Sequence, residues 1–114
     1  MKLVTAELRC CLPSLYGSEW ESNPTVQAKF FTPWSNWTWY AIEFDGEDIF
    51  FGLVDGHEVK LGYFSLAELE SIRGPGGLTI ERDLHFDPVG LKELKEQLES
   101  RSITPRLHFK EQGR

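Results

Sequence analysis

Several absences bound this sequence before anything in it is read for function. Its two cysteines, Cys10 and Cys11, are neighbours. A disulfide between adjacent residues closes only a strained small ring, and neither a CxxC pair nor metal-ligand spacing occurs. A disulfide framework is therefore excluded. The expectation is a cytoplasmic protein whose two thiols serve as small buried hydrophobes of a short helix. There is also no surplus of base. Twelve Lys and Arg stand against eighteen Asp and Glu, a formal net charge of −6, so direct nucleic-acid binding, which draws on cationic side chains, is not expected. No apolar stretch resembles a signal peptide, and nothing approaches the roughly 18 apolar residues of a membrane span. Internal repeats and low-complexity runs are missing. "GPGG" (74–77) lacks the Lys and Ser/Thr of a phosphate-binding loop, and no motif links a histidine to either thiol. No catalytic residue is readable, and no cofactor is expected.

What remains is an ordinary globular composition: 114 residues, 40% hydrophobic and 26% charged. That suits a single domain over residues 1–99, followed by a basic tail over 100–114 expected to be partly disordered. In "LVTAELRCCLPSLYG", Thr5 is an N-cap and Leu8, Cys11, Leu12 and Leu15 keep a helical stripe that Pro13 ends. "GSEWESNPT" is polar and turn-rich. Strands are predicted over 26–32, 36–44, 48–54 and 58–64. Asp45-Gly46 and Asp55-Gly56 form the tight turns, where glycine tolerates positive φ.

Ser65 and Glu68 have capping-box spacing before Leu66, Leu69 and Ile72, and Gly74 stops that helix. Asp87 and Pro88 read as the N-cap and first position of a last helix. Its buried stripe is Leu91, Leu94 and Leu98. Between the two helices, residues 78–86 read as extended. The fold expected is α+β: an antiparallel meander of about four strands with two or three helices packed on one face.

Two constellations carry potential chemistry. If 78–86 is extended, Glu81, Asp83, His85 and Asp87 share one face, since side chains alternate along a strand. Three carboxylates and an imidazole suit a divalent cation. The plainer reading is a solvated strand edge with Asp87 capping a helix. The second constellation is the acid-rich, base-free run from Glu43 to Glu58. Strand alternation puts Trp37, Trp39, Ala41 and Glu43 on one face and Thr38, Tyr40, Ile42 and Phe44 on the other, with the latter the better core candidate. If helices leave the first face open, Trp37 and Trp39 form an aromatic anchor rimmed by Glu43, Asp45, Glu47, Asp48, Asp55 and Glu58, the composition of a protein-binding surface. The plainer reading assigns these acids to turn chemistry.

The stretches "AKFFTPWSNWTWYAIEFDGEDIFFGLVDG", "LGYFSLAELESIRGPGGLTIERDLHF" and "LPSLYGSE" resemble a family of small proteins catalogued as a domain of unknown function. The resemblance covers about residues 12–88, and its most specific part is "FFTPWSNWTWY" with "FDGEDIFFGLVDG". Trp34 stands where a small or acidic residue is expected, and His57 where an apolar one is. The resemblance implies carriage by plasmids, phages and integrative elements, at times beside or fused to antirestriction-type proteins. It implies a setting and no mechanism.

The expectation is a small acidic binding or accessory protein of a mobile genetic element. Its partner would be a host or element-encoded protein, including a nucleic-acid-binding one whose defence role it inhibits. The alternatives are a metal-dependent hydrolase or nuclease using Glu81, Asp83, His85 and Asp87, and a structural add-on module of an antirestriction-type assembly.

Overall fold

Helix α1 (Ala6–Cys11) is followed by β1 (Thr25–Val26), β2 (Ala28–Phe31), β3 (Thr38–Phe44), β4 (Ile49–Asp55) and β5 (Val59–Ser65). Then come α2 (Leu66–Ser71), β6 (Glu81–Arg82), β7 (Val89–Gly90) and α3 (Leu91–Ser100). The computed structural model describes residues 2–100. The basic tail expected beyond the last helix lies, from residue 101 on, outside the described residues. The fold is α+β. Five antiparallel strands lie in the order β5-β4-β3-β2-β6, and β1 pairs with β7 apart from them. No helix among the described residues is long and apolar enough to cross a membrane.

The meander forms where short turns meet β-branched and aromatic runs. Gly46 takes φ +91° in the β3–β4 turn, a conformation that L side chains rarely adopt. Gly56 ends β4 for another reason. Its φ is not among the positive ones, and a Cβ there would overlap the six-membered ring of Trp37. The glycine is needed for close approach, not for its backbone freedom. Strand β2 lies beside β3 as expected, but β6 pairs outside it, Phe30 with Arg82 and Phe31 with Glu81, so β2 is interior rather than an edge.

Both sheet faces are covered, which corrects the expectation of helices on one face. On one side α1 and α2 bring Leu8 and Leu69, with Leu3, Val4, Leu12 and Ile80, onto Phe30, Trp39, Ala41, Phe44 and Phe50. On the other, Leu91, Leu94 and Leu98 of α3 pack with Val26 on Tyr40, Ile42, Phe51, Leu53 and Val59. A sheet apolar on both sides must be buried on both sides.

One irregularity sets which residue meets which layer. In the β3–β4 ladder Ala41 pairs with Gly52 but Glu43 pairs with Phe51, so Ile42 is an extra residue in β3. This bulge reverses the alternation beyond it. Phe44 joins Trp39 and Ala41 against α1 and α2. Glu43, expected beside Trp39, turns to the face of Tyr40 and Ile42. There its fully buried carboxylate accepts hydrogen bonds from Tyr16 N (2.7 Å), Ser18 N (3.0 Å) and Ser18 Oγ.

The helix starts follow sequence in two cases of three. Thr5 Oγ1 accepts from Leu8 N and Ser65 Oγ from Glu68 N, each at 3.2 Å. The expected cap at Asp87 and Pro88 is not used, because Val89 and Gly90 are extended by pairing with Val26 and Thr25. Helix α3 starts at Leu91, and its first turn is held from 69 residues away in sequence: Asn23 Oδ1 accepts from Lys92 N at 2.8 Å, while Asn23 Nδ2 donates to Glu93 at 3.0 Å. Both cysteines are exposed, so the expectation that they are buried is wrong. The helical stripe is carried by Leu8 and Leu12 instead.

Trp39→Ala removes a core ring and is expected to cost about 3–5 kcal/mol of stability. Glu43→Gln sets an amide donor against donors and is expected to cost about 2–3 kcal/mol. Denaturant unfolding of the isolated variants measures both. Losses below about 0.5 kcal/mol would contradict these assignments.

Candidate functional site: a polar cleft beside Trp37

The acids proposed as one surface are distributed by the meander to two ends of the sheet. The β3–β4 and β4–β5 turns are separated by the seven residues of β4, roughly 23 Å of strand. At the first turn Asp45 Oδ1 accepts from the backbone N–H groups of Glu47 (2.8 Å), Asp48 (2.7 Å) and Ile49 (3.1 Å). Asp48 accepts from Ser65 Oγ and Ala67 N, both at 2.8 Å, and so fastens the start of α2. Arg9, whose guanidinium lies 5.4 Å from the Phe44 ring centroid, donates to Gly46 O.

Glu43 and Asp55 are buried, 0% and 1% exposed, and Trp39 is 8% exposed. These three are core members and are corrected from contact residues. Of the remaining acids, Asp45, Glu47 and Glu58 are exposed, the first two at one end and Glu58 at the other. No single acidic patch rims the tryptophans.

The supposed metal face is broken by a turn. Only Glu81 and Arg82 are strand. Asp83 Oδ1 accepts from His85 N at 2.9 Å, and Asp83 O from Phe86 N at 3.3 Å. The chain therefore leaves the extended geometry that would align Glu81, Asp83, His85 and Asp87. Among the described residues no group of three or more His, Cys, Asp or Glu side chains is gathered to hold a metal ion. Asp83 instead faces Lys29, 3.8 Å from carboxylate to ammonium, and its N–H donates to Lys29 O at 2.9 Å.

That ion pair is one wall of an open cleft of about 860 Å³ at the Gly56 end of the sheet. The loop between β2 and β3 forms another wall. It closes on itself through Thr32 N to Trp37 O (3.1 Å), Ser35 N to Thr32 O (3.3 Å) and a hydroxyl contact between Thr32 and Ser35. Pro33 cannot continue the β2 ladder, so the chain turns there and presents Ser35 and Asn36 to solvent. Trp37 stacks on Trp39, with ring centroids 5.9 Å apart and planes at 28°, and meets the His57 ring edge-on at 5.3 Å. Its remaining edge lines the cleft with Asn36, Thr38 and His57. The site thus combines an aromatic wall, amide and hydroxyl groups, one imidazole and a Lys–Asp pair, the chemistry of a hydrogen-bonding recognition surface.

Of the expected contact residues, Trp37 lines this cleft. Lys29, Ser35, Asn36 and His57 were not anticipated as site residues. For Ser35 and Asn36 the signal was the polar break "PWSN" between two aromatic-rich strands, inside the most specific part of the family-like block; Lys29 and His57 lie outside it and had no local signal.

A family model described as a protein of unknown function, DUF2958, matches residues 3–100. The chain belongs to that family. No curated protein and no solved structure matches it. The match takes in all the described elements of this DUF2958 protein and every residue of the cleft.

In this DUF2958 chain, hydrogen bonds from Asp48 and Glu47 N–H, with a smaller one from Ile49, hold the Asp45 carboxyl below its ordinary value of 3.8. A depressed carboxyl contributes stability that is present above its unfolded pKa and is lost as pH falls through the lower, folded value. Thermal melts from neutral pH down to about pH 3 are expected to show a shallower acid loss for Asp45→Asn than for wild type. Identical slopes would mean that this turn does not couple to protonation.

Proposed function

We propose that this protein is a binding module that acts by protein–protein contact, with the Trp37–His57–Lys29 cleft as its recognition surface. The observation that carries the reading is the cleft itself. A pre-formed concavity of about 860 Å³ holds a half-buried tryptophan braced by Trp39 and His57 among exposed amide, hydroxyl and imidazole groups. An aromatic fixed by its own neighbours among adaptable hydrogen-bonding groups pays little ordering entropy on binding. Ser35 and His57 are already engaged, one with Thr32 and the other with Trp37, which suits positioning of a partner more than proton transfer.

In the mobile-element setting that the sequence resemblance implies, the partner is a host or element-encoded protein. The net charge of −6 favours a basic one, such as a nucleic-acid-directed defence protein that this module would occupy. Contact through the cleft replaces the earlier picture of a Trp pair rimmed by acids.

The test is capture from host extract with the wild-type protein, followed by titration of the protein so identified. Asn36→Arg and His57→Glu, on exposed cleft positions, are expected to weaken that complex at least tenfold, about 1.4 kcal/mol, with unchanged melting temperature for Asn36→Arg, which removes no ring contact of Trp37. Glu96→Lys, exposed on α3, is expected to leave it intact. A complex indifferent to both cleft variants would place recognition elsewhere.

A further inference from the structure

The two edges of the main sheet differ. On one side β6 offers two residues before the chain turns away. On the other, β5 runs for seven residues, Val59–Ser65, with β4 as its only strand neighbour among the described residues. A long unpaired edge is a template for a further strand, which most proteins blunt. This edge carries one charged side chain, Lys60, and its centre is open, because a Cβ added at Gly62 would meet nothing within 4 Å.

Exposed aromatics gather beside it. Tyr63 is 47% exposed, and its hydroxyl donates to that of Tyr16 at 3.1 Å. Tyr16 is itself 51% exposed. Aromatic residues left in water around an open edge are the composition of an interface core.

We propose that β5 pairs antiparallel with β5 of a second copy, so that two five-stranded sheets join into one. The strand is built for a two-fold axis. Gly62 is its midpoint, so full overlap pairs Gly62 with Gly62 of the partner subunit, and Leu61 and Lys60 with the partner's Tyr63 and the partner's Phe64. Leu61 against tyrosine then continues the apolar layer under α3, on the side where Tyr63 already packs on Phe51. On the opposite face a groove of about 420 Å³ carries Lys60 towards one end and Phe64 and Glu68 towards the other. The two-fold brings each lysine to the glutamate end of its mate. The groove is therefore complementary to itself in charge, as an isologous contact requires. None of these residues lines the Trp37 cleft, so the proposal is independent of that reading.

Sedimentation equilibrium across a concentration series tests it, with twice the 13.1 kDa chain mass expected for wild type. Gly62→Lys sets two lysines against each other at the axis in space that is open in the single chain, and it is expected to give a folded monomer whose melting temperature, unlike that of wild type, does not rise with protein concentration. Lys60→Glu and Glu68→Lys should each weaken the dimer at least tenfold, and the double exchange should restore it. A monomer at every concentration overturns the assignment and leaves the edge to a strand of another protein. A dimer that survives Gly62→Lys, or a double exchange without rescue, places the contact elsewhere.

Discussion

The structure depends on one extra residue in β3. Ile42 interrupts the ladder between Ala41 and Glu43, and everything beyond it changes side. Without the bulge, Glu43 would enter the layer of Phe30, Trp39 and Phe50, where a carboxylate has no compensation and burial is costly. With it, Glu43 meets the N–H groups of Tyr16 and Ser18, and Phe44 takes the apolar place against Phe50, with ring centroids 4.4 Å apart. The same carboxylate pins a loop in which Tyr16 holds φ +66°, a strained conformation that must be paid for by its surroundings. A buried acid thus positions the aromatic loop that borders the β5 edge.

The other acids follow the same logic in milder form. Asp45 closes its turn by accepting three backbone N–H groups, and Asp48 joins β4 to α2. Asn23 bridges the loop after α1 to the start of α3. Short polar side chains compete well for backbone donors, and here they fasten elements that strand pairing alone would leave loose. Most of the acid-rich middle is therefore joinery.

The two ends of the sheet are unequal because a meander alternates them. The loop between β2 and β3 and the Gly56 turn fall at one end, where Trp37 packs over a residue without a side chain. The Asp45 turn, with Arg9 docked on it, falls at the other. A family defined only as proteins of unknown function gains from this a concrete surface, a polar cleft with an aromatic wall.

What the sequence determined alone was what rests on local physics. Apolar runs of strand length separated by Asp-Gly turns predict the meander. Ser65 three residues before Glu68 predicts the start of α2, and Leu91, Leu94 and Leu98 at helical spacing predict the buried stripe of α3, because each signal spans a few residues and one backbone geometry. What only the tertiary structure decided needed partners distant in the chain. Alternation put Glu43 beside Trp39, but pairing with β4 inserted the bulge. Asp87 and Pro88 had the chemistry of a helix start, but pairing of Val89 and Gly90 with β1 kept that segment extended, and Asn23 took over the cap. Residues 81–87 looked like one extended run carrying four metal ligands, yet only Glu81 and Arg82 found a neighbour in β2, and an unpaired strand has no ladder to hold it straight. Turn acids and helix stripes can be read locally; which face a residue meets is decided by the strand beside it.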